Sequence, residues 1–218
     1  MGNDLLKGQS GNDALDGGAG ADTLNGGNGV DTVVYQFDPA GVTVDLNTAT
    51  ATDGYGDSDS LNNLENVIGS DFNDNLTGDN NDNSLTGRSG DDLILGGAGA
   101  DLITGSDGAD TLGGGAGSDR FIYLNANEGG DTISDFTPGS DRILILSAAF
   151  GGELAAGTLA NDNFVLGSAA TNGNQRFIFN NESGELFFDS DGNGSSEQKL
   201  LAKLDGVSGL SAGDIQLL

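Results

Sequence analysis

One large apolar residue recurs every nine positions in two stretches of this chain. In Gly2–Val34 the recurring residues are Leu6, Leu15, Leu24 and Val33; in Gly69–Ile122 they are Leu76, Leu85, Ile94, Ile103, Leu112 and Phe121. Polar or small residues separate them, so no amphipathic helix is predicted. A fixed period of nine decides the architecture before local propensity does. The frame is set by glycine, with units opening at Gly8, Gly17 and Gly26 and again at Gly69, Gly78, Gly87, Gly96, Gly105 and Gly114. The cleanest copies read GGAGADLIT (Gly96–Thr104) and GGAGSDRFI (Gly114–Ile122), and a partial copy, GNDLLK, opens the chain. The apolar residue is eighth in the unit, and the fourth is glycine except at Phe72 and Asn81. One apolar side chain per unit makes no core alone, so the units must stack. Each predicts a glycine turn ending in a polar residue, then a strand of about three residues.

The sixth position holds Asp4, Asp13, Asp22, Asp31, Asp74, Asn83, Asp92, Asp101, Asp110 and Asp119. In a coil with two units per turn, alternate copies lie over one another. The stacked pairs are then Asp4 with Asp22, Asp13 with Asp31, Asp74 with Asp92, Asp92 with Asp110, and Asp101 with Asp119, while Asn83 meets Asp101. Carboxylates about 4–5 Å apart repel by a few kcal/mol at an effective dielectric near 20. Such columns need cations between them. Carboxylates and backbone carbonyls, with no thiolate or imidazole in the chain, suit Ca2+ rather than zinc or copper.

These GGxGxDxUx units, U being a large apolar residue, resemble the repeats of the RTX (repeats-in-toxin, hemolysin-type) calcium-binding proteins. The resemblance implies an all-β fold, a right-handed parallel β-roll (β-solenoid) with Ca2+ held between successive turns. It implies about six or more ions, bound by the sixth-position aspartates and by carbonyls of Gly18, Gly20, Gly27, Gly29, Gly90, Gly97, Gly99, Gly108, Gly115 and Gly117. The plainer alternative is a Gly/Asp/Asn linker. The unbroken apolar eighth position argues against it.

Charge sharpens this picture. Lys and Arg number 7 against 34 Asp and Glu, a formal charge of −27, which excludes nucleic acid as a partner. Six bound calcium ions would leave about −15, so metal should decide whether the roll folds at all. With no His or Cys, a Ser-His-Asp or Cys-His centre and an HExxH zinc site are excluded. Carboxylate-only glycosidase chemistry is formally open, yet calcium ligands and turns explain the carboxylates, and no enzymatic activity is expected. No apolar run is long enough to span a membrane, and a calcium-stapled roll needs no disulfide. MGNDLLKGQS lacks the pattern of a secretory leader. The chain opens in mid-repeat after Met1, which suggests a piece of a longer protein with an upstream domain.

Four segments are expected: 1–34, a first repeat block; 35–68, an irregular spacer continuing the roll; 69–123, the main roll; and 124–218, a β capping region. In the spacer, Asp53–Asn63 reads as a degenerate copy. Asp38-Pro39 matches the bond cleaved in calcium-triggered self-processing RTX modules, but its surroundings do not, and it reads as a turn. The first two copies of the main block depart from pattern and should bind calcium more weakly than those from Gly87 onward. Thr77, Thr86 and Thr104 share the ninth position, although the variable third position disfavours an ice-binding ladder. Gly129–Leu146 alternates around Pro138-Gly139 and reads as a hairpin; Asp131, Asp135 and Asp141 could ligate calcium there, with turn and capping roles the preferred reading. A short helix is weakly signalled in 147–159. Strands RFIFN and GELFFD follow, with Phe177, Phe179, Phe187 and Phe188 placed to shield the end of the roll. Asp189, Asp191 and Asn193 in DSDGNG resemble half of an EF-hand loop, a lesser calcium candidate because Leu200 stands where the bidentate glutamate belongs.

Asp214 followed by Ile215–Leu218 resembles the uncleaved type I secretion signal of RTX proteins, the signal lying at about 205–218. The expected function is a secreted or cell-surface calcium-binding module that folds after type I export. Its partners would be calcium, the secretion machinery and an attached domain. It is similar to the rolls of serralysin-type proteases, type I-secreted lipases and alginate epimerase R-modules. The alternative is a polysaccharide-binding or adhesin module. The repeats offer an anionic glycan only Lys7, Arg88 and Arg120, leaving a neutral glycan over Tyr35, Tyr55 or Tyr123.

Overall fold

The computed structural model describes residues 2–151 and 154–218. Its strands pair at an offset of 18 residues: Leu6 opposite Leu24 and Ile94 opposite Leu112 in one sheet, Leu15 opposite Val33 and Leu85 opposite Ile103 in the other. Two units therefore complete one turn, each giving a parallel strand to one of two facing sheets, of 13 and 9 strands. Eighth-position side chains point between the sheets, and from Leu15 to Phe121 all are buried in one continuous core. Leu6, on the open first turn, is only partly covered. The chain is a parallel β-roll.

Both repeat blocks belong to this one roll. In the smaller sheet Asn66–Ile68 pairs in parallel with Thr32–Val34 on one side and Ser84–Ser89 on the other. In the larger sheet the spacer inserts three strands. Ser58–Asn62 lies parallel to the first block, Thr50–Thr52 runs antiparallel, and Thr43–Asp45 lies parallel to Asn75–Thr77. The spacer thus continues the coil, with a reversed strand that its alternation did not indicate.

The coil also continues where a hairpin was expected. Asp131–Ile133 extends the larger sheet beside Thr111–Gly117, whereas Arg142–Ile145 extends the smaller one beside Arg120–Tyr123. Alternation marks a half-buried strand but not its partner. Each run here is taken by the nearest open sheet edge. Ile215–Leu217 then pairs in parallel with Arg142–Ile145, and Lys199–Leu204 with Asp131–Ile133. Phe177–Asn180 and Glu185–Phe188 form the expected antiparallel pair. Phe177, Phe179 and Phe188 are buried, and Phe150 meets Phe188 edge-on at 5.0 Å. Phe187 points the other way and is half-buried. The expected helix reduces to Ser147–Phe150; Gly152 and Glu153 of that segment lie outside the described residues. Among the described residues no helix is long and apolar enough to cross a membrane.

Candidate metal centre

At each turn the backbone N–H of the sixth residue donates to a carboxylate one turn further on. In the larger sheet Asp4 donates to Asp22, Asp22 to Asp59, Asp74 to Asp92, Asp92 to Asp110 and Asp110 to Asp131, over 2.7–3.0 Å. In the smaller sheet Asp13 donates to Asp31, Asp31 to Glu65, Asn83 to Asp101, Asp101 to Asp119 and Asp119 to Asp141, over 2.8–3.0 Å. Two carboxylate ladders therefore run along the roll, joining the residues expected to stack.

Each of these bonds uses one carboxylate oxygen. The other, Oδ2, is buried without a partner at Asp22, Asp31, Asp92, Asp101, Asp110 and Asp119, as is Oδ2 of Asp13, which accepts no ladder bond on the first turn. It tucks against the first glycine of its own unit: a methyl group on Gly87 would collide with Asp92, and one on Gly105 with Asp110. Glycine there is a requirement of the carboxylate's approach. Burying an anion without a partner is costly, and the group responds by favouring its neutral form. Burial, reinforced by the neighbouring carboxylates, pushes Asp92 up to about 8 and Asp110 to about 7. Asp101 and Asp131 rise to about 6 by burial, each with a nearby acidic group adding to it.

The donor set fits a hard cation. Among the described residues no three carboxylates converge on one point, so a site between turns would draw on two carboxylates and complete its shell with carbonyls. The glycines expected to supply them, Gly18, Gly20, Gly27, Gly29, Gly90, Gly97, Gly99, Gly108, Gly115 and Gly117, all have positive φ. Carbonyls of Gly90, Gly97 and Gly99 lie against the α-carbons of Gly108, Gly115 and Gly117 one turn on.

The start of the main block differs. Asp74 spends its oxygens on Val42 N–H, Ser70 N–H and the Ser70 hydroxyl. Asn83 accepts from Asp79 N–H and donates to the Glu65 carbonyl. Neither is left unpartnered, and Asp4 is exposed at the open end.

Sequence reasoning missed Asp59 and Glu65, and it gave Asp131 and Asp141 no place in the column. Asp59 had a signal. Gly54–Asn62 reads GYGDSDSLN, with glycine first, aspartate sixth and leucine eighth, disguised by a glycine in third place. Asp135 accepts from Gly114 and Gly115 N–H, the capping role expected of it. Thr77 lies in the opposite sheet from Thr86 and Thr104, so the three share no face. Tyr35 and Tyr123 are buried; Tyr55 is exposed. In DSDGNG, Asp189 accepts from Asp191 N–H, Asp191 accepts from Ser195 and Ser196 N–H, and Asn193 is exposed.

Comparison with known proteins decides the family. The model of the RTX calcium-binding nonapeptide repeat (four copies) matches residues 1–33, 68–103 and 86–121. These segments are RTX calcium-binding nonapeptide repeats. RTX repeats bind calcium, in keeping with the two ladders. Among solved structures, the AlgE6R3 subunit of the Azotobacter vinelandii mannuronan C5-epimerase is similar over 68% of this chain and 80% of its own, at 29% identity and a TM-score of 0.45. The extracellular lipase LipA from Serratia marcescens is similar over 100% of this chain, at 17% identity and a TM-score of 0.31. The RTX chain spans 38% of that lipase's length. No curated protein matches it.

Proposed function

We propose that this RTX roll is a calcium-dependent folding module that closes after type I export and supports the secretion and folding of an attached domain. The observation that carries this reading is the row of buried, unpartnered carboxylate oxygens along both ladders. Calcium, when bound, supplies the counter-charge that lets these groups stay ionised inside the roll. Without it the ladders repel one another and a chain of −27 stays open. Extracellular-type sites have dissociation constants of roughly 10⁻⁴–10⁻³ M, so the chain would be loose in a cell and ordered outside it. The C-terminus supports this order of events. Ile215 and Leu217 are buried, and Leu218 exchanges backbone bonds with Ile145 and Ser147. An exporter that reads this tail must do so before the roll closes.

Far-UV circular dichroism during calcium titration from a chelated start, with magnesium as control, tests the reading. The expected result is a cooperative coil-to-β transition at roughly 0.1–1 mM calcium, absent with magnesium. A chelated chain that is already β-structured would contradict it. One observation favours a second reading, binding of a neutral glycan: the spacer strands present the hydroxyls of Thr43, Thr50, Thr52, Ser58 and Ser60 on one exposed face around a shallow depression that Asp45 also lines. Glycan-array binding of the calcium-loaded protein discriminates the two.

A further inference from the structure

The larger-sheet ladder has a gap at the spacer. Asp22 is followed by Asp59 in the next parallel strand, but the strand after that is reversed, and the one beyond carries Val42 at the sixth position, donating to Asp74. Three aspartates close this gap, Asp38 and Asp53 from outside the repeat pattern and Asp59 from the degenerate unit Gly54–Asn62. Asp53 follows the reversed strand, Asp38 precedes Val42 in the chain, and Asp59 ends the ladder of the first block. All three are buried, Asp53 to 2% exposure.

Their connections form a closed ring. Asp38 N–H donates to the Tyr35 carbonyl, and Asp38 Oδ2 accepts from Gly54 N–H at 2.7 Å, next in the chain to Asp53. Asp53 Oδ1 accepts from Tyr55 and Asp57 N–H. Asp59 accepts from Asp22 N–H with one oxygen and from the Tyr35 hydroxyl with the other. Of the three carboxylates only Asp53 has an oxygen, Oδ2, that is fully buried and unpartnered among the described residues. The Asp53 charge bears on both Asp38 and Asp59. No cationic side chain forms an ion pair with any of the three among the described residues.

We propose that Asp53 and Asp38, flanked by Asp59, form a divalent-cation site of the calcium class outside the repeat units, joining the two repeat blocks. The residues lie between the segments that match the repeat family. Asp53 Oδ2 and the Asp38 carboxylate supply the charge, and the Ala40 carbonyl, packed against Gly54, offers a further oxygen. The proposal rests on the roll binding calcium but adds a site of different construction. It predicts that the spacer is ordered by metal along with the roll, although it carries no consensus repeat.

Equilibrium dialysis against radioactive calcium tests it on the full chain, comparing the wild type with Asp53→Asn and Asp38→Asn at saturating calcium. Each variant is expected to bind one ion fewer while keeping the β spectrum of the wild type. Either variant folding with the full wild-type count overturns the site. Should Asp53→Asn fail to fold, Asp38→Asn decides alone, because its amide oxygen still accepts from Gly54. Failure of both to fold would assign the carboxylates to the framework and overturn the site as well. A wild type that binds no calcium would instead defeat the function proposed for the whole roll.

Discussion

Positive φ at the second position of the unit does not require glycine, although Ser70 and Asp79, in the two units that depart from pattern, do not adopt it. Gln9, Arg88 and Ser106 occupy that position with φ of 78°, 92° and 76°. A residue with a side chain is strained there by roughly 1–2 kcal/mol, while glycine costs about 0.5–1 kcal/mol in unfolded-chain entropy. Ser106 makes no side-chain hydrogen bond among the described residues, so Ser106→Gly relieves strain and loses nothing. It is expected to stabilise the calcium-loaded roll by about 0.5–1 kcal/mol, read from the urea midpoint. Arg88→Gly should gain less, because Arg88 pairs with Asp71 at 2.8 Å and donates to Gln36. Gly117→Ala has the opposite sign. Its φ is 154°, and its new methyl would run into the Gly99 carbonyl of the preceding turn. A loss of more than about 2 kcal/mol follows from strain and overlap together. A lower midpoint for Ser106→Gly would mean that the turn is shaped by its side chains after all.

At the scale of the strand and its ladder, what matters is whether the second carboxylate oxygen is left over. Asp101 leaves Oδ2 unpartnered, while Asp74 spends its oxygens on Val42 and Ser70. The dependence of stability on the logarithm of calcium concentration counts the ions bound on folding. Asp101→Asn should lower that slope by about one ion. Asp74→Asn should lower the urea midpoint, by disturbing Ser70, yet leave the slope unchanged. Equal slopes in the two variants would refute the distinction. The same ladder explains what the sequence could reveal. Aspartate is needed only as the acceptor, and it recurs visibly every nine residues. The donor is a backbone N–H that any residue supplies, so Val42 serves opposite Asp74 and no residue type announces it. Asp59 was concealed by a displaced glycine, and Glu65 by a different side chain. Asp131 and Asp141 looked like hairpin residues because alternation predicts a strand without naming the edge that receives it. The period thus made the repeat strands legible and left the spacer and the last turns to tertiary pairing.

Across the whole molecule, burial of the ladder carboxylates couples folding without metal to proton uptake. Asp92 titrates at about 8, Asp110 at about 7, and Asp101 and Asp131 at about 6 in the folded roll, all far above an unfolded aspartate near 3.9. Folding raises these values because burial penalises the charged form. The stability tied to them is fully present below the unfolded value and is lost as pH rises through the folded ones. In chelator, therefore, lowering the pH from about 8.5 toward 5 should restore β structure to an open chain, helped by the fall in net charge. In calcium the sign reverses, because the ligands must be ionised and binding releases protons. The calcium midpoint should rise as the pH falls over the same range. Circular dichroism at a series of pH values, with chelator and with calcium, reads both branches. A chelated chain that stays open down to pH 5 would show that protonating the ladders does not relieve what keeps the roll apart. The obstacle would then be the remaining surface charge, and added salt rather than acid should close the roll.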